Sequence, residues 1–170
     1  AASYRDLESR LEDPDARVRF QALMTVGGLP PGVESSSSRH QQMAKMLASY
    51  PGNRWIEAAV LSADPDAARQ ILASLLTTIS PGGSTSSIAA LVKTVASHST
   101  EEARQGLISQ VVGQFPKPEV VTALSDGLRR AGTTLQNADA KGELANLFAH
   151  SIKVANDQKA DLNDRIEAIQ

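Results

Sequence analysis

Residues 64–76 read DPDAARQILASLL, and this stretch decides the fold class. The Asp-Pro pair fits a helix N-cap followed by proline at the first helical position, where the missing N–H costs nothing and φ is already helical. Ala68, Ile71, Leu72 and Leu75 then follow the i, i+3, i+4, i+7 spacing of one helical face. The stretch therefore predicts an amphipathic helix that starts at the Asp-Pro pair.

The same helical period covers most of the chain, and no sustained alternation of apolar and polar residues supports a strand. We predict about ten helices, near residues 3–11, 14–29, 36–49, 53–63, 65–79, 85–98, 100–115, 118–131, 138–156 and from 160 onward. Short connections predict antiparallel hairpins that stack side by side around a continuous core. The expected fold is therefore all-α, a curved stack of antiparallel helix pairs. Its apolar faces assign these positions to the core: Leu72, Leu75, Leu91, Leu107, Val111 and Leu147.

Helix starts recur along the chain. The Asp-Pro-Asp-Ala opening also stands at residues 13–16, where it predicts a second N-cap and proline start. Residues 161–166 repeat the pattern Asp-x-x-x-Arg-(Val/Ile) of residues 13–18. Repeated helix starts are typical of α-solenoids. We therefore expect one domain over residues 1–170, excised from a longer protein, with its last repeat cut off at 160–170.

Composition excludes several classes of function. The net charge of -2 gives no global attraction to nucleic acid or to an anionic membrane. No apolar run approaches the roughly 20 residues of a membrane span. The chain has no cysteine, which excludes disulfides, thiol catalysis, zinc–cysteine sites and a Cys-x-x-Cys-His haem attachment. Aromatic residues make up only 4%, so the core must be mostly aliphatic.

Two stretches carry a resemblance to a known repeat. Residues 13–22, DPDARVRFQA, resemble the second helix of a HEAT-type repeat, in which an Asp-Pro start, a Val-Arg pair and a following alanine are typical. Residues 18–23, then Gly28-Leu29, then RWIEAAVLS at 54–62 resemble one set of large multidomain secreted or membrane-associated proteins of planctomycetes and related bacteria. In that set a dehydrogenase-like β-propeller is followed by HEAT repeats and a c-type cytochrome module.

The resemblance is strongest over residues 5–80, is weak over 81–158 and returns at 160–170. It implies a HEAT-like α-solenoid that serves as a spacer or binding platform, within a secreted, periplasmic or cell-envelope protein. An oxidoreductase or cytochrome module is then expected elsewhere in the parent protein. Because the chain has no Cys-x-x-Cys-His motif and no propeller-like strands, the redox functions of that set cannot be assigned to any of its residues.

Two arginines and the single tryptophan are the candidate groove contacts. Arg17 and Arg19 lie two residues apart, so they point to different sides of the predicted helix. One is expected to line a groove and bind a carboxylate or phosphate, and the other to pair with Asp13 or Asp15. In HEAT-like repeats such arginines usually tie neighbouring repeats together, which is the favoured interpretation. Trp55 is a candidate anchor for a partner or a sugar, but its place before an apolar helical run favours packing between helices.

The sequence offers no catalytic constellation. His40, His98 and His150 are far apart, whereas a metal site needs converging ligands. A Gly-x-Ser-x-Gly elbow and a Gly-Lys-Ser/Thr phosphate loop are both missing from the chain. We therefore predict no catalytic residue, no cofactor, no metal and no small-molecule substrate.

The sequence leaves three functions to consider. The favoured one is a non-enzymatic scaffold or interaction module whose partners are other domains of its parent chain or another protein. A nucleic-acid-binding solenoid would need basic residues gathered on one face with aromatics for stacking, whereas here they are scattered among acids. A solenoid-based enzyme would need a spaced acid/base pair. We expect no nucleic-acid binding and no membrane insertion of this segment.

Overall fold

The computed structural model describes residues 4–29, 36–78 and 85–169. All regular secondary structure among these residues is α-helical. The described residues form these eleven helices: α1 (Tyr4–Arg10), α2 (Ala16–Gly27), α3 (Ser36–Ser49), α4 (Arg54–Leu61), α5 (Pro65–Thr78), α6 (Thr85–His98), α7 (Glu101–Gln114), α8 (Pro118–Arg130), α9 (Leu135–Ala138), α10 (Glu143–Asn156) and α11 (Leu162–Glu167). The prediction of an all-α fold is confirmed. The predicted helix ends at residues 3 and 79 lie outside the described ranges. Within those ranges, no helix combines the length and the hydropathy that a membrane crossing requires.

The helices pack mainly on near neighbours in the chain order. α2 packs on α4, α4 on α6, and α6 on α8, so the even-numbered helices from α2 to α8 form a row. α1 packs on α2, α3 packs on α5, and α5 packs on α6. α10 lies against α7 and carries α11. The most extensive contact joins α6 and α8, which makes this pair the centre of the packing.

The core is largely aliphatic, as the low aromatic content requires. The largest fully buried side chains come from the part of the chain that runs from the end of α1 through α8: Leu11, Leu23, Val26, Met43, Ile71, Leu72, Leu75, Ile88, Leu91, Ile108, Leu124 and Leu128. Five of the core positions predicted from the helical period are buried: Leu72, Leu75, Leu91, Leu107 and Val111. The period therefore identified the correct face of α5, α6 and α7.

The C-terminal helices are packed less completely. Leu144 of α10 is buried, but Leu147 is only half-buried, so its predicted full burial is wrong. The reason is that α10 has extensive contacts with α7 and α11 only, and its outer side leaves Phe148 and Ile152 exposed. In α11, Ile166 is likewise exposed. Fewer apolar side chains are thus fully buried along α10 than along α6 and α8.

The Asp-Pro start at residues 64 and 65 is confirmed. α5 begins at Pro65, and Asp64 Oδ1 accepts hydrogen bonds from the backbone N–H groups of Asp66 and Ala67, both at 2.9 Å. A side-chain acceptor at this position satisfies donors that have no partner inside the helix.

The other copy of the motif departs from the prediction. α2 begins at Ala16 with Asp15 as its N-cap, so Pro14 stands before the helix. Asp13 Oδ1 accepts a hydrogen bond from the Asp15 N–H at 2.9 Å within a turn. The turn is also held by a local side-chain contact, because Arg19 Nη1 donates to the main-chain carbonyls of Asp13 and Pro14 at 2.6 and 2.9 Å. These carbonyls are thereby held outside the helix.

The helix predicted over 138–156 is in fact two elements. Asp139 follows the short helix α9, and Gly142 has a φ of 69°, a left-handed conformation that favours glycine. Asp139 Oδ1 accepts from the N–H of Glu143 at 2.8 Å, and its Oδ2 accepts from those of Leu144 and Ala145 at 2.9 and 3.2 Å. One carboxylate therefore caps the first turn of α10.

Replacement of Asp139 with alanine is expected to destabilise the protein by about 1–2 kcal/mol, because three backbone N–H groups lose their acceptor. Thermal or urea unfolding would measure the change. Asp157→Ala is the matched control, since among the described residues Asp157 Oδ1 accepts only the N–H of Lys159, in an exposed turn. Equal losses in the two variants would contradict the capping role of Asp139.

Candidate functional site

A cleft of about 280 Å³ lies between the first turns of α2 and α4. We call it the Trp55 cleft, and these residues line it: Ala16, Arg17, Arg19, Phe20, Asn53, Trp55 and Ile56. All three side chains that the sequence singled out, Arg17, Arg19 and Trp55, meet here. Their meeting follows from the packing of α2 on α4 with the two helix starts side by side.

Both helix starts at the cleft are fixed by side-chain caps. Asp15 Oδ1 accepts from the Arg17 N–H at 2.8 Å. Asn53 Oδ1 accepts from the N–H groups of Trp55 and Ile56 at 3.1 and 3.3 Å. Each cap ties its loop to the following turn, so the backbone that carries Arg17 and Trp55 is held in place.

Trp55 does not pack between helices, contrary to the favoured sequence interpretation. Its side chain is 58% exposed. The ring meets Phe20 edge to face, with centroids 5.9 Å apart and planes at 73°. The buried positions of α4 are taken by Ile56 and Val60. Because neighbouring helical residues project about 100° apart, burial of Ile56 turns Trp55 outward.

A positively charged side chain, that of Arg54, also lies next to the Trp55 ring. The Arg54 guanidinium carbon lies 5.0 Å from the ring centroid, a cation–π geometry. The Arg54 side chain forms no hydrogen bond and no ion pair within the part of the chain that the structure describes. Its donors therefore remain available to solvent or to a ligand.

Arg19 has a structural role beneath the cleft. Besides its bonds to the two carbonyls before α2, its guanidinium carbon lies 4.7 Å from the centroid of the Tyr50 ring. Arg19 Nε is buried and has no hydrogen-bond partner among the described residues. Arg19 thus connects the start of α2 to the end of α3 and keeps its charge unpaired.

Arg17 is the exposed arginine at the rim of the cleft. Its side chain is 92% exposed and pairs with Asp15, with Nη2 3.0 Å from Oδ2 and Nε 3.3 Å from Oδ1. This side-chain hydrogen bond, with the backbone N–H of Arg17, lowers the pKa of Asp15 from 3.8 to about 2. The pair is therefore ionised at neutral pH, and the two charges largely cancel.

The sequence interpretation missed three contributors to this site: Phe20, Asn53 and Arg54. A Pro-Gly-Asn turn directly before an apolar helical run indicates an N-cap at Asn53. With the helix start fixed there, the spacing of Ile56, Ala59 and Val60 would have shown that Trp55 lies off the apolar face. Phe20 gave no such signal, since its contact depends on how α2 packs on α4.

The three histidines stay apart in the fold. His40 is buried on α3, with Nδ1 2.7 Å from Gln70 Oε1, while His98 ends α6 and His150 is exposed on α10. Among the described residues, no group of three His, Asp or Glu side chains is arranged to hold a metal ion.

Comparison of the chain with protein-family models, curated proteins and solved structures finds no match. The likeness to the HEAT segments of planctomycete dehydrogenase–cytochrome proteins therefore stays a prediction from the sequence. The functional inference therefore rests on the geometry of the Trp55 cleft.

Proposed function

We propose that this chain is a non-enzymatic helical-repeat module that binds a protein segment, from its parent chain or from another protein, through the Trp55 cleft. The observation that carries the proposal is the exposed Trp55 ring in a chain whose core is almost entirely aliphatic. Tryptophan combines a large apolar face with low conformational entropy, and it is enriched among residues that dominate binding energy.

The surroundings of Trp55 support a binding role over a chance exposure. Single exposed apolar side chains are common on protein surfaces and need no explanation. Here, however, the ring borders a cleft with Phe20 and Ile56 in its wall, and capped helix starts hold both sides. A preformed apolar cleft reduces the entropy lost on binding.

The row of helices from α2 to α8 fits a HEAT-like α-solenoid, in which repeats share a continuous surface. In this arrangement, α2 and α4 are neighbouring helices of the row, and the Trp55 cleft lies between their first turns. The resemblance of residues 5–80 favours a secreted, periplasmic or cell-envelope multidomain protein as the parent. The module would act there as a scaffold between domains.

The proposal predicts that Trp55→Ala weakens peptide binding by at least about tenfold, the effect of truncating a central anchor. Peptides would first be selected on the wild-type chain from a random display library and then titrated by fluorescence polarisation. Phe148→Ala is the matched control, because Phe148 is an exposed aromatic residue on α10 outside the cleft.

Both variants should keep the wild-type circular dichroism and melting temperature, since neither side chain is buried. Selected peptides that bind Trp55→Ala as tightly as the wild type would refute the cleft as the binding site. Failure to enrich any peptide would refute the interaction function itself.

A further inference from the structure

We infer that the segment bound in the Trp55 cleft is acidic, with a carboxylate beside its apolar anchor residue. This inference rests on the proposed function and names the chemistry of its partner. It comes from the balance of charges around the cleft, which favours an anion although the chain as a whole carries a net charge of -2.

Two cationic side chains at the cleft have no carboxylate partner among the described residues. Arg17 and Arg19 line the cleft, but Arg17 is paired with Asp15, which leaves Arg19 in the lining and Arg54 beside the Trp55 ring. Arg19 and Arg54 form no ion pair within the described residues, and Arg19 Nε lacks any partner there. The starts of α2 and α4 add partial positive charge of their own. The local field therefore favours a negative ligand.

The nearby carboxylates are already occupied. Asp15 is bound on both oxygens by Arg17, which holds its pKa at about 2. Glu57 Oε1 accepts from the Ser86 and Ser87 hydroxyls at 3.1 and 2.8 Å, which directs it toward α6. Both carboxylates thus have other partners, and neither forms an ion pair with Arg54.

The arrangement at Trp55 matches a two-part ligand. The Trp55 ring and Phe20 offer an apolar surface, and the guanidinium of the exposed Arg54 lies over the ring without an ion-pair partner among the described residues. A guanidinium forms paired, charge-assisted hydrogen bonds with a carboxylate. An apolar side chain on the ring would therefore bring a flanking glutamate or aspartate within reach of Arg54, whereas a flanking lysine would be repelled.

The test uses three synthetic peptide series with the same leucine and phenylalanine anchors, flanked by glutamate, glutamine or lysine. We expect the glutamate series to bind the full chain about tenfold more tightly than the glutamine series, and the lysine series to bind more weakly still. Arg54→Gln should weaken the glutamate series about tenfold but leave the glutamine series unchanged. Arg130→Gln, which removes an exposed arginine at the end of α8, is the control with equal net charge.

Asp15→Asn is expected to change the affinity for the glutamate series in the opposite direction to Arg54→Gln. Asparagine is as good an N-cap as aspartate, so α2 should keep its start. Loss of the carboxylate frees Arg17, so the glutamate series should bind several-fold more tightly. Weaker or unchanged binding of that series would contradict the charge argument.

The possible results distinguish the proposed binding function from the proposed acidic partner. If no series binds, the interaction function fails together with this inference. If the glutamine or lysine series binds as tightly as the glutamate series and Trp55→Ala abolishes it, the function stands and the acidic partner is wrong. Preferential binding of a single-stranded oligonucleotide over every peptide series would overturn the choice of a protein partner.

Discussion

Truncation of Leu91 to alanine is expected to lower the free energy of unfolding by about 2–5 kcal/mol. Leu91 is 1% exposed on α6, the helix that contacts α4, α5, α7 and α8. The lost methyl groups leave a cavity that neighbouring helices can only partly fill, because they are held from several sides. Urea unfolding with a common slope would give the change directly.

Leu147→Ala is the matched control for this experiment. It removes the same atoms from a half-buried position on α10, so its loss should be clearly smaller. Equal losses at Leu91 and Leu147 would mean that the packing does not centre on α6.

Replacement of Gly127 with alanine is expected to cost about 1–3 kcal/mol, the range of overpacked cores. A Cβ at this position would lie 2.5 Å from the Lys93 carbonyl oxygen and 2.6 Å from the Ala96 Cβ. A main-chain carbonyl inside α6 cannot move aside without shifting the helix. The glycine therefore permits the close approach of α8 to α6, the most extensive helix contact of the fold.

The control reverses the sign of the effect. Gly106 lies on α7, and a Cβ there would meet no atom within 4 Å. Gly106→Ala should therefore stabilise the protein by about 0.5–1 kcal/mol, the ordinary gain in a helix interior. Thermal unfolding of both variants provides the comparison. A stabilising Gly127→Ala would show that α6 and α8 are not in such close contact.

Local sequence patterns predicted the helices because their causes are local. The apolar spacing of Leu72 and Leu75 and the cap at Asp64 act within a few residues, and both are confirmed. The start of α2 was misassigned although its cause is also local, because Arg19 binds the main-chain carbonyls of the preceding turn, and the spacing of apolar and capping residues does not predict such a side-chain contact. The close approach at Gly127 is equally hidden, since it depends on the Lys93 carbonyl of another helix.

The sequence predicted some members of the candidate site but not their arrangement. Arg17, Arg19 and Trp55 were chosen for their chemistry, and the contact of α2 with α4 brings them together. The role of each arginine depended on its partner: Asp15 for Arg17, and main-chain carbonyls for Arg19. A helical wheel shows direction around one helix, but it cannot show which neighbouring charge will be in reach.

The near-neighbour packing of the helices also bears on how the chain folds. The extensive contacts join helices at most three positions apart in the order from α1 to α11. Such contacts need only short loops to close, which costs little chain entropy. Chains rich in local contacts fold quickly, within microseconds to milliseconds. A cluster such as α5, α6 and α8 can therefore assemble first and let flanking helices add in turn, without waiting for the two ends of the chain to meet.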